Sequence, residues 1–350
     1  MTGASGFLGR ACLRLLRELP EPPALTLLLR PPARARLEQE GLLRSGWQAL
    51  EGDLAQPRLG LPEDAYQRLA AGLRGVFHCA GNVRFDLRLE QARRVNLEGT
   101  RRLLELALAA AGGGARPRFD HVSTAYVVGR REGRFDEQDG PGAAGFCNSY
   151  EQTKWEAEQL VRGAGAALAV TVYRPSILLP STADSDQPGS LAPVWCARML
   201  RRGRLLCIPG RRSARLDLIG VDTAARALAH YLTRDSAPGG TIHLTAGCDH
   251  AATFGELVEL AAAQLGVRPP PWIEPRLFRR WIRPLLWLLL HGQRRSVWRS
   301  GENLLPYLEQ SRCFEPRRAA ADFPWWQGEA ARAREQVRAL LQDLLASGRI

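Results

Sequence analysis

The stretch Met1-Thr-Gly-Ala-Ser-Gly-Phe-Leu-Gly9 decides the fold. Glycines at positions 3, 6 and 9 let backbone come close to a pyrophosphate, and a helix beginning at Phe7 turns its N-terminal N–H groups toward the phosphates. A glycine string of this kind is weak evidence alone, because glycine-rich turns are common. Here a helical pattern follows at once, over Phe7–Glu18, and a strand-like run ending at Arg30 comes about twenty residues later. That context gives the string its weight.

Working outward, short apolar runs at Ala24–Leu29, Gly75–Cys79, Phe119–Ser123 and Ala169–Tyr173 read as buried strands of a parallel sheet. Phe7–Glu18, Leu87–Ala111 and Ser149–Arg162 carry helical periodicity between them. Strands alternating with helices predict an α/β, doubly wound parallel sheet of the Rossmann type. After Pro180 the stretch Ser181–Gly189 reads as a loop, and Arg215–Ile219 to Tyr231 as a strand and returning helix. A further strand is expected near Thr241–Leu244, and the remainder reads as mostly helical. The expected organisation is a dinucleotide-binding domain over residues 1–180 and a smaller, mostly helical C-terminal substrate region over 181–350. Residues of about 214–246 return to the first domain.

Composition narrows the function. With 350 residues, 45% hydrophobic and 24% charged, the chain is neither disordered, collagen-like nor a polytopic membrane protein. The net charge of +12 would attract phosphate-bearing molecules or anionic lipid. No basic block with interleaved aromatics and no zinc-finger spacing occurs, so nucleic acid is not an expected partner. Six histidines without ligand spacing argue against a metal. Seven scattered cysteines without a C-x-x-C pair fit a reducing compartment with no disulfide framework, hence a cytoplasmic protein. The segment Leu277–Leu290 is apolar and Trp-bearing but is interrupted by three arginines and is shorter than the ~20 residues a spanning helix needs. It is read either as a helix buried against the core or as a surface-lying anchor making peripheral membrane contact.

Of the 48 basic residues, 47 are arginine, and Lys154 is the single lysine. Where any cation suffices this chain carries arginine, so position 154 marks a place that calls for an ammonium group. Lys154 closes Asn148-Ser-Tyr150-Glu-Gln-Thr-Lys154, and residues four apart on a helix share a face. A nearby cation would lower the phenol's pKa from about 10 and poise Tyr150 for proton transfer. Some 26 residues earlier, Val122-Ser-Thr-Ala-Tyr126 ends a strand, where ligands sit in open α/β sheets; Ser123 or Thr124 could bond a substrate oxygen as it gains charge. At the end of the second strand an NAD site usually carries Asp or Glu. This chain has Leu29-Arg30-Pro-Pro-Ala-Arg34-Ala-Arg36, which suits a 2′-phosphate and predicts NADP(H).

In order and spacing these motifs resemble the extended short-chain dehydrogenase/reductase superfamily. Gly52–Leu61, Phe77-His-Cys-Ala-Gly-Asn-Val-Arg-Phe85, Val95-Asn96-Leu-Glu-Gly-Thr100 and Tyr150–Glu156 resemble more narrowly its fatty acyl-CoA reductase and thioester reductase branch, and Leu305-Pro-Tyr-Leu and Cys313-Phe-Glu-Pro echo that branch's tail. The resemblance implies a catalytic trio of Thr124, Tyr150 and Lys154, with Thr124 chosen over Ser123 because the active hydroxyl precedes a small residue, here Ala125. It implies a pyrophosphate cradle of Gly3, Ser5, Gly6, Phe7, Leu8 and Gly9, with Arg30 and Arg36 toward the 2′-phosphate. Asp53 and Leu54 would line the adenine and Ala80 and Gly81 the ribose path. Asn96 would brace the active-site strand, and Pro175 and Ser176 would pass the nicotinamide. The implied activity is NADPH-dependent reduction of an acyl thioester, on coenzyme A or an acyl carrier protein, to aldehyde and, with a second hydride, to alcohol. Other members of the superfamily are 3β-hydroxysteroid or alcohol dehydrogenases and nucleotide-sugar epimerases or dehydratases. A catalytically silent NADP(H)-binding scaffold or sensor is a further reading.

Two departures stand out. Gly81 occupies a position where the branch more often has alanine. The apolar strand that precedes T-G-x-x-G in this fold, central in its sheet order, is missing, so a start upstream of Met1 is expected.

Overall fold

The computed structural model describes residues 1–111, 116–181, 191–205, 207–289 and 304–350. A parallel sheet lies at its centre. Strands β1 (Thr26–Leu29) and β2 (Gln48–Glu51) pair with each other, and β3 (Gly75–His78) pairs with β4 (Arg118–Val122). A short side strand, β5 (Gly133–Phe135), precedes β6 (Ala169–Pro175), which lies beside β4. Further strands follow as β7 (Ile177–Leu179), β8 (Ile208–Pro209), β9 (Arg215–Leu216) and β10 (Leu218–Gly220). Strand β11 (Gly240–Leu244) closes the sheet beside β6.

Between β1 and β3 stands Thr2, which bridges Leu28 on one side and His78 on the other. Its N–H donates to Phe77 O at 2.9 Å, and its hydroxyl bonds His78 Nδ1 at 2.8 Å. Thr100 holds the other ring nitrogen of His78 at 2.9 Å. Met1 contributes its carbonyl to Leu28 N at 3.0 Å, and its buried amine donates to Thr26 O at 2.7 Å. The spatial order is therefore β2-β1-Thr2-β3-β4-β6-β11, with the central position held by these two residues.

Helices cover both faces. α1 (Phe7–Glu18) buries Leu8, Ala11, Cys12, Leu13 and Leu16 and packs on the helix Val221–Thr233, so the returning segment covers the sheet where α1 does. α2 (Pro31–Gln39) and α3 (Glu63–Gly72) follow β1 and β2. The single helix expected over Leu87–Ala111 divides at Leu97 into α4 (Leu89–Asn96) and α5 (Glu98–Ala110). α6 (Ser149–Gly163) is capped by Asn148, whose side chain accepts from Glu151 N at 3.0 Å. It is locked to β6 by a buried bidentate pair, Arg174 to Glu158 at 2.9 and 2.8 Å.

The C-terminal region is mostly helical but pairs short strands with the body. Trp272–Ile273 pairs with β8, Ala252–Thr253 with β9, and Arg312–Phe314 with β5. Of the expected loop over Ser181–Gly189, all but Ser181 lies outside the described residues. The cysteine expectation needs correction, because Cys248 and Cys313 form a disulfide. Sequence spacing gave no sign of it; the pairing arises because Arg312–Phe314 folds back against β5, near the loop after β11.

Candidate active site

The cradle is built from glycines that nothing larger replaces. Gly3 has φ +72°, and a Cβ there would lie 2.4 Å from Ala80 N. A Cβ on Gly9 would lie 2.1 Å from Gly3 O, the carbonyl that also accepts Gly6 N at 2.9 Å. Turn and helix start are thus pressed together, and α1 begins at Gly6 without a side-chain cap. Ser5 and Phe7 sit half-buried at this start and Leu8 is packed beneath it. An uncapped helix start behind backbone too close for any Cβ is what a dinucleotide pyrophosphate fits.

A cavity of about 430 Å³ lies at the C-terminal ends of β1 and β2, lined by Arg30, Pro31, Pro32, Glu51, Gly52, Asp53, Gln56 and Gly60. Arg30 stands exposed at the N-cap of α2. Asp53 fixes its own loop by accepting Ala55 N at 2.9 Å, and the Leu54 carbonyl is held by Arg102 at 2.8 Å. Arg36 lies elsewhere: it bonds Glu40 along α2 at 3.1 Å and does not line this cavity.

Thr124 follows β4, where its hydroxyl accepts Tyr126 N at 3.3 Å and caps the turn Ala125–Val128. It also lies within hydrogen-bonding reach of the Tyr150 phenol. Tyr150 and Lys154 stand one turn apart on α6, and Lys154 donates to Val122 O at 2.6 Å across to β4. The structure therefore gathers Thr124, Tyr150 and Lys154 at the C-terminal end of β4. Ser123 Oγ is buried without a hydrogen-bond partner among the described residues.

Asn96 holds this corner together. Its Oδ1 accepts Asn82 N at 2.7 Å, while its Nδ2 donates to Asn82 O at 3.1 Å and to Thr153 Oγ1 at 3.0 Å. It thus braces the loop after β3 against α6 more directly than it braces a strand. At Gly81 an added Cβ would sit 3.5 Å from Asn96 Oδ1 and 3.7 Å from Lys154 Nζ, ordinary contacts, so alanine would fit there. Pro175 ends β6, and Ser176 continues it by donating to Leu244 O at 3.1 Å.

The electrostatics differ from the sequence expectation in one respect. Burial pushes the Tyr150 phenol above its ordinary value, and the Thr124 hydrogen bond opposes that rise. The ammonium of Lys154 is turned to the Val122 carbonyl, and the lowering expected from its charge is not seen; desolvation sets the direction. Lys154 itself is pushed down to about 8 by burial, with Cys79 and Glu158 working against the shift.

Sequence reasoning missed a second ring of residues. Phe85 packs against Tyr150 at 5.8 Å between centroids and stacks on Tyr307 at 5.5 Å. Glu151, next to the phenol in sequence and fully buried, accepts Tyr307 OH at 2.7 Å, Cys147 N at 2.8 Å and Arg312 at 3.4 Å. Asn148 Nδ2 donates to Tyr307 OH at 2.9 Å. The available signals were motifs quoted for other reasons: Phe85 ends Phe77–Phe85, Asn148 and Glu151 lie in Asn148–Lys154, and Tyr307 lies in Leu305-Pro-Tyr-Leu.

A doubly wound sheet with a glycine cradle after its central position, and Thr, Tyr and Lys gathered at one strand end, defines a nicotinamide-dinucleotide-binding protein of the extended short-chain dehydrogenase/reductase class. Residues 1–228 match the male sterility protein family, an NAD-binding domain, and the chain belongs to it. It is 31% identical over 270 residues to fatty acyl-CoA reductase 1 of Homo sapiens, covering 63% of this chain and 52% of that protein. It is 29% identical over 270 residues to a linear gramicidin synthase polypeptide of Brevibacillus parabrevis, covering 70% of this chain and 5% of that one. The chain thus spans about half the length of the first relative and a small part of the second. Among solved structures, the terminal R domain from the myxalamid PKS-NRPS biosynthetic pathway superposes with a TM-score of 0.78 at 22% identity, covering 100% of this chain and 90% of that one. MoeE5 in complex with UDP-glucuronic acid and NAD superposes with a TM-score of 0.68 at 22% identity, covering 99% of this chain and 98% of that one.

Proposed function

We propose that the protein reduces an acyl thioester, carried on coenzyme A or a carrier protein, with NADPH as reductant. The observation that carries this reading is the convergence of Thr124, Tyr150 and Lys154 beside the glycine cradle. The similarity to fatty acyl-CoA reductase 1 supports the thioester, and Arg30 in the wall of the cavity supports NADPH. The nicotinamide, when bound, supplies hydride. The chain's own residues handle the oxygen and its proton. Thr124 and Tyr150 bond the thioester oxygen as it gains negative charge, and the phenol supplies the proton; the resulting hemithioacetal then breaks its C–S bond to give the aldehyde and the free thiol of the carrier. Burial keeps the phenol protonated at neutral pH, the form that donates, though it makes it a weaker acid than a free phenol. Lys154, anchored on Val122 O, holds the ribose and keeps positive charge close to the phenol.

The test is NADPH consumption with a long-chain acyl-CoA and with the same acyl group on a carrier protein. Tyr150→Phe is expected to lower turnover by about 10²–10⁴-fold while NADPH affinity stays nearly unchanged. Arg30→Ala is expected to weaken NADPH binding about tenfold or more and leave NADH almost unaffected. Retained turnover in Tyr150→Phe would overturn the catalytic assignment. NADPH binding without turnover of either thioester would direct the search to sterols and nucleotide sugars.

A further inference from the structure

The segment between Glu274 and Leu289 carries large apolar side chains where the chain meets solvent. It runs as a turn of helix (Pro275–Leu277), a π-helical turn (Phe278–Ile282) and a further helix (Arg283–Leu289). Phe278 is fully buried and Ile282 half-buried, so these two make the inward side. Leu277, Trp281, Leu285 and Leu288, spaced four, four and three residues apart, form a stripe that is exposed at 51, 64, 53 and 72%. Arg276, Arg279, Arg280 and Arg283 are exposed along its other border, and no acidic residue occurs from Pro275 to Leu289. The Arg280 guanidinium lies 5.5 Å from the Trp281 ring centroid, and Arg279 is bonded to Glu309 at 2.6 Å.

We propose that this stripe is a docking surface for an anionic lipid bilayer, along which the segment lies flat. The proposal is independent of the reaction assigned above. Charge selects this occupant. An apolar stripe bordered by arginines on a chain of net charge +12 complements a surface whose interior is apolar and whose headgroups are negative. The arginine stems would lie over apolar surface while their guanidinium groups stay at the headgroups, and Trp281 belongs at that boundary. At about 1.5 Å per residue the segment is roughly 22 Å long, too short to span a bilayer. No helix among the described residues is long and apolar enough to cross one.

The test is cosedimentation of the full chain with vesicles of equal parts phosphatidylglycerol and phosphatidylcholine, and with phosphatidylcholine alone. Trp281→Ser/Leu285→Ser and Arg276→Gln/Arg280→Gln are the variants. All four side chains are exposed, so both variants should fold, which circular dichroism checks. The wild type is expected to bind the anionic vesicles and to release at high salt. The apolar variant should lose about tenfold or more in partitioning, and the arginine variant should become less sensitive to lipid charge. Three results would overturn the proposal: no binding by the wild type, undiminished binding by the apolar variant, or equal binding to neutral vesicles. So would gel filtration showing a dimer that the apolar variant dissolves, since that assigns the face to a second copy of the chain.

Discussion

Lys154 is the residue at which stability and function pull apart. Its side chain is 4% exposed, and burial holds its ammonium at about 8, against 10.5 for a free lysine. Between those two values the unfolded chain binds the proton and the folded chain does not, so stability rises with pH through that window. Below about pH 8 the whole desolvation cost is present. Replacing the lysine by an apolar residue of similar length removes that cost and loses the bond to Val122 O. Lys154→Met is therefore expected to be more stable than the wild type at neutral pH by about 2 kcal/mol and inactive, the advantage fading above about pH 8 and reversing before pH 10.5, where the wild type has shed the desolvation cost and keeps its bond to Val122 O. Urea unfolding at neutral pH and near pH 10 measures this directly; a variant less stable at neutral pH would show that the hydrogen bond outweighs the desolvation. The singularity of Lys154 was legible in a sequence that otherwise writes arginine, as was the glycine cradle, because both are local constraints. The direction of the phenol's shift was not, since it depends on how deeply α6 and β4 bury Tyr150.

At the scale of elements, α6 is held from both ends. Arg174 and Glu158 fix its later turns to β6, and Glu151 ties its first turn to the tail through Tyr307 and Arg312. Glu151 is 0% and Arg312 2% exposed, so removing one partner leaves a buried charge uncompensated. Arg312→Met is expected to cost about 3–5 kcal/mol, and Tyr307→Phe about 1–3 kcal/mol. Adding Glu151→Gln to Arg312→Met should recover part of the loss, and the double-mutant cycle gives the coupling. Additive losses would mean that the two side chains act separately. This cluster joins residues more than 150 positions apart, which explains why periodicity and motif spacing could not reveal it. Strand β2 escaped notice for a different reason: Gln48–Glu51 is an edge strand whose ends are exposed, so it lacks the apolar run that marked β3, β4 and β6. The break of α4 from α5 at Leu97 was hidden because apolar spacing continues across it.

Over the whole molecule, the C-terminal segment is a strap that crosses from the candidate active site to the β11 edge of the sheet. Arg312–Phe314 pairs with β5, Phe314 N donates to Asp217 at 3.4 Å, and Trp326 Nε1 donates to Thr245 O at 3.1 Å. Arg318 reaches the carbonyls of Pro238 at 3.0 Å and Thr241 at 3.2 Å, and Tyr231 OH donates to Asp322 at 2.7 Å. The Cys248–Cys313 disulfide adds a covalent closure across 65 residues of chain. A loop of that length, if open in the unfolded state, would give up conformational entropy worth about 4 kcal/mol on closure. The strap is also held by its hydrogen bonds and by the buried Phe314 and Trp326. Reduction, or the paired change Cys248→Ser/Cys313→Ser, is therefore expected to lower stability by about 2–4 kcal/mol and leave the protein folded at 25 °C. Thermal melts with and without dithiothreitol should differ for the wild type and coincide for the serine variant. Coincident melts for both would mean that the strap is held by its packing alone, and collapse of the reduced protein would mean that Tyr307 and Arg312 reach α6 only because the bridge places them there.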